Sequence, residues 1–280
     1  MRNIETKTII EAVKKLCIDA NYFLPQDIFN ALEQGKEREE SPVGKAILED
    51  ICMNASLAGK EEMPICQDTG TAVVFVKLGQ EVHIEGGLLS EAINEGVRQG
   101  YKEGYLRKSI VQNPLYRKNT GDNTPAVIHY EVVAGDQLEL MVCPKGGGSE
   151  NMSRIYMLKP SQGIEGVKAA VMETVALAGP NACLPMVVGI GIGGNFEMST
   201  LLAKKALTRE IPSSNKDDRM AELEQELLSE INKTGIGPQG LGGKVTALAV
   251  HIEDYPCHIA SMPLAINIGC HVNRHKSIVL

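Results

Sequence analysis

Cys66, Gln67 and Asp68 set a thiol, an amide and a carboxylate in consecutive positions within Pro64-Ile65-Cys66-Gln67-Asp68-Thr69-Gly70. A short turn can aim all three at one point, where a thiolate binds a metal and a carboxylate moves a proton. The same residues also suit a plain helix-to-strand turn, with Asp68 as a cap and Cys66 as a small buried residue. A second cluster, Pro144-Lys145-Gly146-Gly147-Gly148-Ser149-Glu150-Asn151, follows a strand-like run. Its glycines let successive N–H groups converge on a carboxylate or phosphate, and Lys145 adds charge. The Walker A spacing is absent, and a flexible hairpin tip is the alternative.

The third cluster is Gly179-Pro180-Asn181-Ala182-Cys183-Leu184-Pro185, followed by an apolar run with Gly189, Gly191, Gly193 and Gly194. No acidic residue stands where a ribose would need it, so dinucleotide binding is set aside. The fourth runs from Tyr255 to Pro263 and on through Asn267-Ile268-Gly269-Cys270-His271. Here Cys257 and Cys270 are rival ligands that spacing does not separate, and His258 suits either a site or a hydrogen-bonded core position. Thiols supplied singly from distant loops do not match the paired ligands of a structural zinc site. They suit an iron–sulfur cluster with one ligand per loop. Three cysteines leave one iron open as a Lewis acid, which is hydratase chemistry.

The elements that must carry these residues form a mixed α/β chain, with a helical N-terminal part over 1–60 and β-sheets flanked by helices over 61–280, read as one domain. Ile9, Ile10, Val13, Leu16 and Cys17 recur at helical spacing, and Ser41-Pro42 reads as an N-cap followed by proline at the first helical position, so three helices are expected before Gly59. Thr71 to Leu78, Ala126 to Val133 and Leu138 to Val142 read as strands, with Ala134-Gly135-Asp136 as a hairpin loop. Gly163 to Ala178, Glu197 to Arg209 and Met220 to Ile231 read as helices, Met186 to Ile192 as a buried strand, and Gly235 to Gly243 as a loop.

Composition narrows the function. A net charge of -7 disfavours nucleic acid, which needs a basic stripe to displace phosphate counterions. The absence of tryptophan and the presence of only 4 phenylalanines disfavour an aromatic stacking platform. The 7 cysteines, without a C-x-x-C pair, read as thiols or metal ligands rather than disulfides. No run approaches the roughly 18 apolar residues of a membrane span, and MRNIETKTII has no basic start before an apolar stretch. A folded cytoplasmic protein with no membrane contact is expected.

PICQDTGTA, LRKSIV, NTGDNTPA, PKGGGSEN, GPNACLP, GIGGNFE and IASMPLAINIGCH, in this order from Pro64 to His271, resemble the α region of the class I, iron–sulfur-dependent fumarate hydratase and L-tartrate dehydratase family. The resemblance implies a [4Fe–4S] cluster with one iron lacking a protein ligand, held by Cys66, Cys183 and Cys270. Cys257 is then a bystander, and Cys17, Cys52 and Cys143 are packing residues. It also implies that Asp68 moves a proton to or from the departing hydroxyl, that Gln67, Arg107 and the Gly148 N–H bind substrate carboxylates, and that His258 lies near the substrate.

A second, β region of the family carries further basic groups and the residue thought to act as base. Motifs of the α region alone resemble the two-subunit branch, so the expectation is the α subunit of a hetero-oligomeric fumarate hydratase, active only with a β subunit and sensitive to oxygen. Two readings compete with it. L-tartrate dehydratase shares the cluster and the elimination of water, and a non-catalytic iron–sulfur sensing or binding module would hold the cluster without turnover.

Overall fold

The computed structural model describes residues 1–280. Its first half carries β1 (Arg2–Glu5), α1 (Thr6–Tyr22), α2 (Gln26–Arg38), α3 (Pro42–Lys60), β2 (Thr71–Gly79), β3 (Val82–Glu85), α4 (Leu89–Glu103), β4 (Val127–Val133) and β5 (Leu138–Lys145). Then come the single turn α5 (Gly147–Glu150), β6 (Arg154–Leu158), α6 (Gly163–Ala178), β7 (Met186–Gly193), α7 (Phe196–Ala206), α8 (Asp218–Lys233), β8 (Ala247–Tyr255), β9 (Met262–Gly269) and β10 (Lys276–Val279). The fold is mixed α/β, with three helices before the first long strand. At the start of α3 the Ser41 hydroxyl accepts the Gly44 N–H at 3.2 Å, and Pro42 takes the first helical position.

The chain divides into two compact units that interleave along the sequence. The first comprises Met1–Pro25, Ala55–Gly147 and Arg274–Leu280, and the second Gln26–Asn54 and Gly148–Asn273.

In the first unit the sheet order is β10-β5-β2-β4, with β2 parallel to β4 and antiparallel to β5. A separate two-stranded sheet pairs β1 with β3 in parallel. Ile9, Val13, Leu16 and Cys17 form the buried stripe of α1, while Ile10 stays at its partly buried edge. Against that stripe lies α4. A Cβ on its Gly96 would sit 2.7 Å from the Val13 Cβ, and one on Gly100 2.8 Å from the Cys17 Cβ, so glycine spacing lets the two helices touch closely.

The hairpin expected at Ala134-Gly135-Asp136 does not form, because β2 lies between β4 and β5. The connection instead crosses the end of β2, where the Gly79, Gln80 and Glu81 N–H groups donate to the Gln137, Val133 and Gly135 carbonyls. Gly79 permits this crossing, since a Cβ there would strike the Gly135 carbonyl oxygen at 2.5 Å.

In the second unit the sheet order is β6-β9-β7-β8, with β7 parallel to β8 and β9 antiparallel to both of its neighbours. Val171, Val175, Met186, Val188, Ile190, Leu227, Ile231, Ile252 and Ile266 build its core. The glycines of β7 serve packing. A Cβ at Gly189 would meet the Ala203 carbonyl oxygen at 2.2 Å and one at Gly191 the Ser199 carbonyl oxygen at 2.0 Å, so α7 lies directly on the strand backbone.

Candidate active site

In the first unit the segment between α3 and β2 is a loop with buried side-chain donors on three consecutive carbonyls, those of Asp68, Thr69 and Gly70. The Asp68 carbonyl accepts from the Arg274 guanidinium. The Thr69 and Gly70 carbonyls both accept from the Tyr101 hydroxyl, at 2.8 and 3.0 Å, and the Gly70 carbonyl also accepts from the Asn123 amide at 3.2 Å. Arg274 is 5% exposed and Tyr101 and Asn123 are 0% exposed, so these bonds compete with little water. Burial pushes the Tyr101 phenol far above its ordinary pKa, which keeps it a neutral donor.

The outward face of this loop carries the candidate groups. The Asp68 carboxylate accepts the Gly70 N–H at 3.0 Å on one oxygen and the Gly147 N–H at 2.8 Å on the other. The glycine cluster expected to cradle an anion therefore binds a carboxylate of its own chain, on a helical turn rather than a flexible hairpin tip. Gly70, at φ +74°, cannot carry a side chain, because a Cβ would lie 2.6 Å from the Lys145 backbone. The Cys66 thiol donates to the Gln67 amide oxygen at 3.4 Å and accepts the Asp68 N–H at 3.4 Å.

Arg107 is fixed through its backbone. Its N–H donates to the Thr69 hydroxyl at 2.8 Å, and that hydroxyl donates to the Arg107 carbonyl at 3.2 Å. Asn123 ties in the following residues by accepting the Ser109 N–H at 2.6 Å. The Gln67 and Arg107 side chains are exposed. Thus Cys66, Gln67, Asp68 and Arg107 share one locally braced site.

Cys183, Cys270, His258 and Gly148 belong to the second unit. Cys183 ends a short 3-10 turn at φ +54° and is exposed. Its carbonyl accepts the His271 N–H at 3.1 Å and the His271 ring Nδ1–H at 2.8 Å, which assigns the Nδ1-protonated tautomer. The backbone beside Cys270 is thereby tied to that of Cys183. Gln239, from the glycine-rich loop, donates its backbone N–H to the Leu184 carbonyl at 3.3 Å. Gly240 allows this loop to sit on the turn, since a Cβ there would meet the Pro180 Cβ at 2.4 Å.

His258 is exposed on the turn after β8, where its Nδ1 accepts the Ala260 N–H at 3.1 Å, so it is not a core residue. Gly148 is exposed in α5.

The thiols fall into two chemical groups. Cys17, Cys52 and Cys143 are buried, and burial pushes the Cys17 and Cys52 thiols up to about 12. Cys66 and Cys270 are half-buried and Cys183 is exposed, all on turns or strand ends, and none is in a disulfide. Such donors suit a thiolate-ligated metal group. Cys257, also exposed, donates to the Ser261 carbonyl at 3.3 Å. Within neither unit do three His, Cys, Asp or Glu side chains gather as they would around a single metal ion.

Sequence reasoning missed Arg274, Tyr101, Asn123, His271 and Gln239. Asn123 and His271 stood inside the family motifs and Gln239 inside the Gly235 to Gly243 loop. The others lie far along the chain from the residues they hold.

A profile of the fumarate hydratase (Fumerase) family matches residues 10–279. A Methanocaldococcus jannaschii protein with the provisional name L(+)-tartrate dehydratase subunit alpha is 44% identical over 272 residues, covering 95% of this chain and 95% of its own length. Proteins named L(+)-tartrate dehydratase subunit alpha from Escherichia coli O157:H7 and strain K12 are 35% and 34% identical over 283 residues, each covering 96% of this chain and 92% of its own length. The chain belongs to the fumarate hydratase family. It is a hydro-lyase, and the alpha-subunit names of these relatives imply a further subunit in those enzymes. No helix is long and apolar enough to cross a membrane.

Proposed function

We propose that this chain is the α subunit of a cytoplasmic, [4Fe–4S]-dependent fumarate hydratase, which interconverts fumarate and L-malate and is active only with a β subunit. The observation that carries this reading is the Asp68 carboxylate, held by two backbone N–H groups on a braced loop beside Cys66, Gln67 and Arg107.

Cys66, Cys183 and Cys270 would hold the cluster, which when bound would supply a Lewis acid toward the substrate hydroxyl and one carboxylate. In the dehydrating direction the Asp68 carboxyl gives its proton to the departing hydroxyl oxygen, so that water leaves. In the hydrating direction it takes a proton from water. Arg107 binds a substrate carboxylate through its guanidinium fork, and Gln67 and the Gly148 N–H donate to the carboxylates. His258 supplies a further donor near them. The proton on the adjacent carbon is removed by a group of the β subunit.

L-tartrate dehydration is the second reading, favoured by the names of the three relatives. It uses the same residues to expel water from a diol. Anaerobic co-production with the β partner, followed by assays on fumarate and on L-tartrate, separates the readings. Hydration of fumarate supports the first, turnover of L-tartrate alone moves the assignment to the second, and silence on both acids with iron and sulfide present overturns both.

A further inference from the structure

Arg274 begins the final segment of the first unit and stands just before β10. Its side chain is 5% exposed and reaches the loop only through Nη2, which donates to the Asp68 carbonyl oxygen, while Nε and Nη1 are buried and meet no protein acceptor. Its charge is unmatched by any carboxylate pair. A guanidinium removed from water without an anionic partner weakens the fold, and an apolar side chain of similar length would fill the same space at no such penalty. Its contribution must therefore lie in what its charge holds.

We propose that Arg274 is the positioning residue of the active site. It pins the peptide plane that follows Asp68, so that the Asp68 carboxylate and the Cys66 thiol two residues earlier leave a fixed backbone. Neighbouring donors support this assignment without duplicating it. Tyr101 and Asn123 bind the carbonyls of residues 69 and 70, and neither reaches that of residue 68. Arg274 is thus the single side-chain clamp on the carbonyl of the residue that moves the proton, and as a cation it makes the strongest kind of bond to that oxygen.

The proposal deepens the reading of Asp68 as the proton-transfer group and rests on it. Its test has one arm that needs no turnover. In the purified full-length chain, Arg274→Met should raise peptide-resolved hydrogen exchange at 66–70 by about 10-fold or more while α1 and α4 keep their protection. In the reconstituted two-subunit enzyme the same variant should lower kcat about 100-fold with KM changed by less than about 3-fold, and Arg274→Lys should restore most of the loss.

Unchanged exchange at 66–70 in Arg274→Met overturns the positioning role whatever the substrate proves to be. So does a kcat loss that only follows the folded fraction and that Arg274→Lys does not repair. Should Arg274→Met fail to fold, Arg274→Gln takes its place: faster exchange at 66–70 in an otherwise protected chain supports the clamp, and wild-type exchange there refutes it. If exchange rises as expected but Asp68→Asn leaves turnover intact, the clamp stands and the catalytic reading fails.

Discussion

The Cys66–Gly70 loop of the first unit and the Cys183–Pro185 turn of the second present the same kind of reactive group by different means. The loop is held from its buried side by Arg274, Tyr101 and Asn123, whose donors satisfy three consecutive carbonyls. The turn is held by backbone bonds and by two partly exposed side chains, the His271 ring on the Cys183 carbonyl and the Gln239 amide on the Leu184 carbonyl. On the roles proposed above, a carboxylate that transfers a proton must be aimed within fractions of an ångström, and buried donors on its own backbone would provide that aim. A thiol that serves as a ligand needs only to face outward on a turn, because the group it binds completes its positioning.

The comparison breaks most sharply at Gly70. Gly70→Ala should destabilise the chain by about 2–4 kcal/mol, combining backbone overlap with a left-handed φ, as seen in denaturant midpoints. A smaller value would mean that the loop can move away from the Lys145 backbone. Tyr101→Phe leaves the Thr69 carbonyl without its buried donor and should lower stability by about 1–3 kcal/mol.

Glu39 gives a counterpart in the second unit. Burial alone pushes its carboxyl up, but the N–H groups of Ser41, Lys244, Val245 and Glu40 outweigh this and hold it below the ordinary 4.5. Its folded-state pKa is depressed, so its contribution is complete above about pH 4.5 and fades as acid protonates the folded form. Glu39→Gln should cost about 1–3 kcal/mol at pH 7, and the gap from wild type should narrow in melts below the unfolded pKa. An equal gap at all pH values would remove the ionic assignment. The smallest effect belongs to the turn: His271→Ala should cost about 1 kcal/mol and leave exchange at 66–70 unchanged.

The reactive side of the Cys66–Gly70 loop was legible in the sequence because thiol, amide and carboxylate are adjacent there. Its support was not. Tyr101 reads as one apolar position of a helix, Asn123 as a turn residue and Arg274 as a lone surface charge, and nothing local reveals that three such residues converge on one stretch of backbone. The same limit applies to the fold. Helical spacing in α1 and α6 and the capping residues of α3 act within a few residues of themselves, so they could be read directly. The insertion of β2 between β4 and β5 depends on pairing across some sixty residues, and the four-residue strands β1 and β10 are too short to show a period. The glycines of β7 signalled close approach but not of what. The approaching body is the backbone of α7.

The central claim is that Asp68 moves the proton on the substrate oxygen. The measurement that tests it most directly is the turnover of Asp68→Asn in the anaerobic two-subunit enzyme, with iron content and secondary structure matched to wild type. The account predicts a kcat lower by about 100- to 10,000-fold on whichever acid the wild type uses. Turnover within a few-fold of wild type would contradict it.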